Sequence, residues 1–274
     1  MNFKNLISLA LCLLLCACST SPIAYITNQG SDTVSVVNIK EKKIIQEIPV
    51  GKGPVGVAIS LKQSYAFITN THDASVNVLD LQHNRIIKTI QTGGTPVGIT
   101  KSTNEDFIYV SDWFNSEVFI IETKSLTVIK KIVVGKSPSG MICDTEGKYL
   151  FISNRDENTV EIYGQSDLAL VKKIKVGNHP YGVVSDIKNQ FAFVTNTQDD
   201  NISVVDLKMK KEIKKIKVGG NPEGIDIDER DNILITSNWR SDSISIIDLA
   251  KQEYLYEIKT GKQSRSFGQF IKID

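Results

Sequence analysis

The residues that could carry nucleophilic or metal chemistry are few and scattered in this sequence. It contains three histidines, His72, His83 and His179, and a single cysteine, Cys143, beyond its N-terminal region. Their spacing fits no Ser-His-Asp or Cys-His nucleophile, and no Cys-x-x-Cys-His segment offers covalent haem attachment. No catalytic residue, metal ligand or cofactor is therefore predicted. Cys143 is expected to be a small core residue.

Three aspartates, Asp144, Asp186 and Asp228, recur every 42 residues beside short polar segments. Aspartate in such segments is typical of hairpin turns, where its side chain bonds to the backbone. A calcium site would need several oxygen ligands converging on one point. The pattern therefore favours turn residues over a metal cluster.

Composition excludes several classes of protein. With 41% hydrophobic residues and 23% charged residues, the chain is too apolar to be disordered. Its formal net charge of +1 lacks the strongly basic balance of a simple nucleic-acid binder. Nucleic acid is accordingly a disfavoured partner, and the oligomeric state is left open.

The N-terminal residues have the features of an export signal. Lys4 precedes an apolar run over residues 6–15, which is too short to span a bilayer. The segment 15–18, Leu-Cys-Ala-Cys, resembles the bacterial lipobox, in which the last cysteine is lipidated. We predict a signal peptide at 1–17, lipidation of Cys18 and a tether at 18–22; an ordinary signal peptide is the alternative. Ser19 resembles the outer-membrane sorting pattern of Gram-negative lipoproteins, which predicts a periplasm-facing envelope protein.

The elements that must position any site are six copies of one unit. Two series of segments return at a constant interval of 42 residues, and no insertion interrupts them. The first series ends at Asn28, Asn70, Asp112, Asn154, Asn196 and Asn238, and the second begins at Gly51, Gly93, Gly135, Gly177, Gly219 and Gly261. The repeated amides and glycines are expected to serve turns.

Each unit contains four short β-branched or aromatic runs. In the second unit they are Tyr65–Asn70, 75–79, 86–92 and 97–102. Four strands in about 40–45 residues predict one blade of a propeller. The chain is therefore predicted to be all-β, with residues 23–274 forming one six-bladed β-propeller of four-stranded antiparallel blades. A C-terminal strand at 266–273 would close the ring by completing the first blade.

These segments resemble the YVTN-repeat β-propellers. The likeness rests on the Tyr/Phe-Val/Ile-Thr/Ser-Asn motif, as in Phe193-Val-Thr-Asn196, and on the following Gly-x-x-Pro-x-Gly. It covers all six units and implies the fold. Relatives include surface-layer and periplasmic propellers and, more distantly, a haem-binding propeller of a nitrite reductase, so the resemblance implies no single activity.

Departures from the repeat mark the candidate site. Both tryptophans hold the same loop position, 126 residues apart, which predicts that they face each other across a six-fold ring. The residue after each proline also varies, and both positions should lie on one face. Exposed Trp and Arg are typical interface anchors. The candidate binding face is Trp113, Phe114, Arg155, His179, Tyr181, Glu223, Trp239, Arg240 and Arg265. Packing of each tryptophan on its neighbouring blade is the alternative.

Lysine-rich runs are predicted on the outermost strands. They include Lys130-Lys131, 172–175 and 208–217. Lysine on an edge strand blocks pairing with other chains, and this explanation is favoured over a basic rim for anionic lipid or nucleic acid. The segment 199–203 also resembles a bacterial N-glycosylation acceptor at Asn201, on a loop expected to be exposed.

The sequence thus favours a membrane-anchored binding or scaffolding module for an envelope protein or small ligand. The alternative is an enzyme, either a lactonase-like hydrolase or a cofactor-dependent periplasmic electron-transfer protein.

Overall fold

The computed structural model describes residues 23–38, 43–186, 188 and 190–259. The predicted signal peptide, Cys18 and its tether, the closing strand at 266–273 and Arg265 lie outside the described residues. Within this part of the chain, 23 strands form six antiparallel sheets, five of four strands and one of three. The sheets are the six blades of a β-propeller, as predicted. Among the described residues there is no apolar helix of membrane-spanning length.

The first three blades follow one another along the chain, with the innermost strand first where it is described. Blade 1 contains β1 Ile23–Asn28, β2 Thr33–Asn38 and β3 Lys43–Pro49. Blade 2 contains β4 Pro54–Ser60, β5 Tyr65–Asn70, β6 Ser75–Asp80 and β7 Arg85–Gln91. Blade 3 contains β8 Pro96–Lys101, β9 Phe107–Asp112, β10 Glu117–Glu122 and β11 Thr127–Val133.

The last three blades repeat this order. Blade 4 contains β12 Pro138–Cys143, β13 Tyr149–Asn154, β14 Thr159–Gly164 and β15 Leu170–Lys175, with a 3₁₀ turn, η1 Arg155–Glu157, before β14. Blade 5 contains β16 Pro180–Ser185, β17 Phe191–Asn196, β18 Asn201–Asp206 and β19 Lys211–Lys217. Blade 6 contains β20 Pro222–Asp228, β21 Ile233–Asn238, β22 Ser243–Asp248 and β23 Glu253–Lys259.

The core lies between neighbouring blades. Between blades 2 and 3, for example, Phe67 and Val78 pack with Ile108 and Phe119, and all four side chains are fully buried. The aromatic first residue of the repeated motif supplies much of this surface. Burying such a side chain contributes about 1.5–3 kcal/mol, so apolar packing across the blade junctions stabilises the ring.

A hydroxyl in the repeated motif links neighbouring blades at four junctions. Thr69 Oγ1 accepts a bond from Gly56 N of its own blade (2.8 Å) and donates to Val97 O of the next (2.9 Å). Equivalent bonds from Thr27, Ser111 and Thr195 join blades 1 and 2, 3 and 4, and 5 and 6 at 2.9–3.1 Å. The Thr or Ser of the motif is therefore a connector between innermost strands.

Several glycines allow close approach of neighbouring backbone and side chains, which differs from the expected role in turns, whereas Gly93, with a left-handed φ of 74° and no atom within 4 Å of an added Cβ, keeps that role. A Cβ on Gly98 would lie 1.9 Å from the carbonyl oxygen of Ser139, and one on Gly140 2.4 Å from that of Tyr181. The first glycine of the motif has a related role in blade 2, where a Cβ on Gly51 would lie 2.6 Å from the Asn70 amide. Side-chain size, rather than backbone angle, selects glycine at these positions.

The outermost strands carry the lysines, as predicted, with one correction. Lys130 and Lys131 lie on β11, and 172–175 and 211–217 lie on β15 and β19. Lys208 and Lys210, however, precede β19 in the turn that follows β18. The turn ends at Lys210, whose φ of 52° is left-handed, so these two lysines leave the edge of the sheet.

Candidate functional site

One face of the ring combines two kinds of connection. We call it the loop face. It carries the loop after the second strand of each blade and the Gly-x-x-Pro connection into the innermost strand. Pro54 pairs with Asn70, and Thr71 N donates to Gly53 O (3.0 Å), so both connections lie at the same end of the blade. This arrangement confirms the shared face predicted for the two variable positions.

The loops are held by backbone geometry and by bonds to the next blade. The last residue of each is left-handed, including Asp32, Asn158 and Asp200 with φ of 52–58°. Their side-chain oxygens accept bonds from the residues before the next proline, at 2.8–2.9 Å. One of these donors is His179 N, bonded to Asn158 Oδ1. The loop of one blade therefore sets the position of the residues that enter the following blade.

Four predicted residues come together on the loop face of blades 3, 4 and 5. We call Trp113, Arg155, His179 and Tyr181 the Trp113 cluster. The Trp113 and Tyr181 rings are 6.0 Å apart at 50°, and the Arg155 guanidinium carbon lies 5.7 Å from the Trp113 ring centre. These distances are typical of an aromatic pair and a cation–π contact. Trp113 and Tyr181 belong to blades separated by blade 4, so the pair crosses that blade.

Ser139 lies at the post-proline position of blade 4. It is the smallest of the five residues that follow the described inner-strand prolines, and only 1% of its surface is exposed. Its hydroxyl lies 3.2 Å from Tyr181 O and 3.3 Å from Pro180 O. A small residue here leaves room for the aromatic pair and ties the Tyr181 backbone to blade 4. Sequence analysis missed Ser139, although its size was the available signal.

The electrostatics of the cluster centre on Asp156, which the prediction also omitted. Its carboxylate accepts a bond from the Ser137 hydroxyl (2.6 Å) and pairs with Arg155 (2.8 Å). The Ser137 bond, followed by the charge of Arg155, lowers the pKa of Asp156. Burial, and then the nearby Arg155 charge, lower the pKa of His179. His179 is therefore held in its neutral form near neutral pH, with a buried Nδ1 that has no hydrogen-bond partner among the described residues.

The remaining candidates form a less connected group. Trp239 is half-buried, and Arg240 pairs with Asp200 of blade 5. Phe114 is 78% exposed, whereas Glu223 is only 6% exposed, so the predicted acidic group at the channel mouth is buried. The structure thus gives Trp113 partners in blades 4 and 5.

The other groups considered for chemistry have structural partners. Asp144 Oδ1 accepts from Lys148 N and Tyr149 N, and Asp186 Oδ1 accepts from Gln190 N and Phe191 N, which confirms their role as turn residues. His83 pairs with Asp80 in the turn before β7 (2.7 Å). Burial raises the pKa of the Cys143 thiol, which disfavours its thiolate. Across the described ranges, no three His, Cys, Asp or Glu side chains are grouped to hold a metal ion.

Asn201 does not lie on an exposed loop, contrary to the expectation. It begins β18 and is half-buried. Its amide accepts a bond from Asn196 Nδ2 (2.7 Å) and donates to Asp199 O (3.2 Å).

The fold and its repeated junctions define a six-bladed β-propeller built from 42-residue units. The model of the YNCE-like beta-propeller family matches residues 20–146 and 141–270. The chain therefore belongs to the YNCE-like β-propeller family, in agreement with the predicted type of propeller. No curated protein matches the sequence.

Solved structures share the fold at low sequence identity. Hydrazine synthase of Kuenenia stuttgartiensis is 17% identical with a TM-score of 0.79, over 88% of this chain and 84% of that one. A functionally unknown protein of Desulfotomaculum acetoxidans is 13% identical with a TM-score of 0.78, over 88% and 81%. The dihydro-heme d1 dehydrogenase NirN, in complex with DHE, is 14% identical with a TM-score of 0.65, over 86% and 63%. At these identities the likeness concerns the fold alone.

Proposed function

We propose that this protein is a membrane-anchored envelope propeller that binds a protein or small ligand through the Trp113 cluster. The observation that carries the proposal is the pair formed by Trp113 and Tyr181 across blade 4, with Arg155 beside it. Aromatic and arginine side chains contribute large contact areas at low entropic cost, and they dominate measured binding energies at interfaces.

The geometry supports capture rather than chemistry. The loop that carries Arg155 is fixed by the bond from His179 N of the next blade to Asn158, and a rigid scaffold that presents variable loops is a common arrangement for recognition. The charge of Arg155 is already paired, since Arg155 contacts Asp156, which also accepts a bond from Ser137. A ligand would therefore meet preorganised aromatic surface beside a neutralised charge.

The test is a quantitative pull-down from envelope extracts with three forms of the full chain. The Trp113→Ala/Trp239→Ala double variant should lose the captured species, because it removes the Trp113 ring of the cluster together with Trp239, which holds the equivalent loop position in blade 6. Tyr254→Ala, on the outermost strand β23, removes an aromatic ring that is 43% exposed away from the loop face and should capture normally. If no captured species depends on the two tryptophans, the binding proposal is wrong.

Stability separates binding from packing. Loss of the ring pair should cost about 0.5–1.5 kcal/mol beyond the area that the two half-buried tryptophans bury, so the double variant should be less stable but remain folded. A collapse of folding would assign the tryptophans to packing between blades.

Anchoring through Cys18 has its own test. Cys18→Ser should move the protein from the membrane fraction to the soluble fraction, because several acyl chains are needed for stable anchoring. Continued membrane association would contradict lipidation.

A cofactor-dependent electron-transfer role is the second candidate, favoured by one observation. His179 has a neutral imidazole whose buried Nδ1 has no hydrogen-bond partner among the described residues, and neutral imidazole is a common metal or haem ligand. The visible absorption and metal content of the purified protein would decide. A stoichiometric chromophore or metal that is lost in His179→Ala would favour this candidate over simple binding.

A further inference from the structure

A cavity of about 270 Å³ opens on the side opposite the loop face, at the junction of blades 4 and 5. We call it the lysine pocket. It lies between the β12–β13 turn of blade 4 and two turns of blade 5. Its lining residues are Asp144, Glu146, Lys148, Tyr149, Lys188, Leu207, Lys208 and Lys210. It contains no residue of the Trp113 cluster, so it is independent of the function proposed above.

Positive charge exceeds negative charge in this pocket. Four lysines line the pocket against two carboxylates. Asp144 is 2% exposed, and its Oδ1 accepts bonds from two backbone N–H groups, Lys148 N and Tyr149 N. Among the ion pairs of the described ranges, none involves Lys148, Lys188, Lys208 or Lys210. Their mutual repulsion is therefore relieved by solvent or by an added anion.

An aromatic ring holds two of these ammonium groups together from different blades. Lys148 Nζ lies 5.1 Å and Lys210 Nζ 5.7 Å from the centre of the Tyr149 ring. Cation–π attraction acts at such distances. Lys148 belongs to blade 4 and Lys210 to blade 5, so Tyr149 draws their charges toward a common site at the junction.

The six-fold repeat shows that this arrangement is specific to one junction. At the junction of blades 3 and 4, the four positions that lie 42 residues before the pocket lysines hold no lysine. They are Asp106, Glu146, Ser166 and Leu168, in place of Lys148, Lys188, Lys208 and Lys210. One repeat later, at blades 5 and 6, they are Gln190, Arg230, Ala250 and Gln252. Turn geometry common to all blades does not require lysine, so another cause must account for the four found here.

Protection of a sheet edge does not account for them either. Lysines on β15 and β19 lie on outermost strands, where they block pairing. Lys148, Lys188, Lys208 and Lys210 lie outside the strands, in the turns that connect them. We propose that the lysine pocket binds a compact anion of two or more negative charges, such as a phosphate monoester or diphosphate group. The cavity volume is at the lower end of ligand pockets, and such a group fits it better than a drug-sized ligand.

The same chemistry could belong to a soluble phosphate compound or to the headgroup of a phospholipid. Calorimetric titration of the full chain with inorganic pyrophosphate tests the first source. Titration with dihexanoyl phosphatidic acid, kept below its micellar concentration, tests the second. Tighter binding of pyrophosphate would indicate a soluble ligand, and tighter binding of the short-chain lipid would indicate a headgroup. Either result supports the pocket if binding is saturable with one site per chain.

Matched variants distinguish a built site from general attraction to a basic protein. Lys148→Gln/Lys210→Gln removes two charges beside Tyr149 and should weaken binding at least tenfold, because charge-assisted bonds to the anion are lost. Lys172→Gln/Lys175→Gln removes two exposed charges from β15 and should leave binding within about twofold. Equal weakening by the two pairs, or no saturable binding of either probe to the unaltered chain, would overturn the proposal. Matching thermal midpoints would exclude unfolding as the cause.

Discussion

Two serines at the same repeat position should differ in their response to one substitution. Ser111 Oγ accepts a bond from Gly98 N (2.8 Å) and donates to Ser139 O of the next blade (3.1 Å). Ser153, one repeat later, is fully buried, and its Oγ has no hydrogen-bond partner among the described residues. Ser→Ala is the same chemical change in both places, so the difference between the two variants measures the connection between blades.

The expected magnitudes follow from these contacts. Ser111→Ala leaves a backbone N–H and a carbonyl without their partner, which costs about 1–2 kcal/mol. For a protein of this size, that lowers the thermal midpoint by about 2–4 °C. Ser153→Ala breaks no bond and removes an unpartnered buried hydroxyl, so its effect should stay within about 0.5 kcal/mol.

Circular dichroism melts, with reversible urea unfolding as a second measurement, would test the pair. Ser139→Ala provides an internal check, because the Ser139 hydroxyl reaches Tyr181 O and replaces the missing link of blade 4. Its loss should lower stability by about 1 kcal/mol. Equal destabilisation by Ser111→Ala and Ser153→Ala, or a greater loss from Ser153→Ala, would refute the role assigned to these hydroxyls.

Three further predictions concern packing, charge and pH. Gly98→Ala should destabilise by about 1–3 kcal/mol or prevent folding, because its Cβ would overlap Ser139 O; Gly30→Ala, with no atom within 4 Å, should be neutral in the same melts. Lys173→Met should cost about 1–2 kcal/mol in urea unfolding, since Lys173 neutralises the buried Glu161, whereas exposed Lys172→Met should cost little. Because the pKa of His179 is lowered in the folded state, its neutral form stabilises the fold. This contribution to the free energy of unfolding is fully present above the unfolded pKa of about 6.5, and it is lost as the pH falls from that value through the lower pKa of the folded state. Unfolding of His179→Gln between pH 7 and 5 should therefore vary less with pH than unfolding of the unaltered chain; an unchanged slope would contradict this.

Most of the architecture could be predicted because the sequence pattern of each strand occurs in several repeats. In the second unit, the strands predicted at 65–70, 75–79, 86–92 and 97–102 lie within one residue of β5 to β8. A single β-branched run is ambiguous, but six aligned runs with constant spacing leave few alternatives.

The site was predictable only in part, because its geometry depends on how blades pack. The repeat placed Trp113 and Tyr181 on the loop face but offered no reason to pair them across blade 4. That contact spans blade 4, whose residue at the equivalent position is the small, buried Ser139. The position of Lys210 was misassigned for a similar reason. A run of lysines does not reveal that its first residues form a turn ending in a left-handed residue.

The hydroxyl connections between blades also bear on the order in which the molecule assembles. Each of these hydrogen bonds joins a side chain to a backbone carbonyl 28 residues further along the chain. The donors are Thr27, Thr69, Ser111 and Thr195. Contacts so near in sequence carry a small loop-closure cost and favour rapid formation. A chain delivered N-terminus first could thus complete its junctions one at a time, each as soon as the next innermost strand emerges. Stepwise growth of this kind would keep few strand edges exposed at any moment.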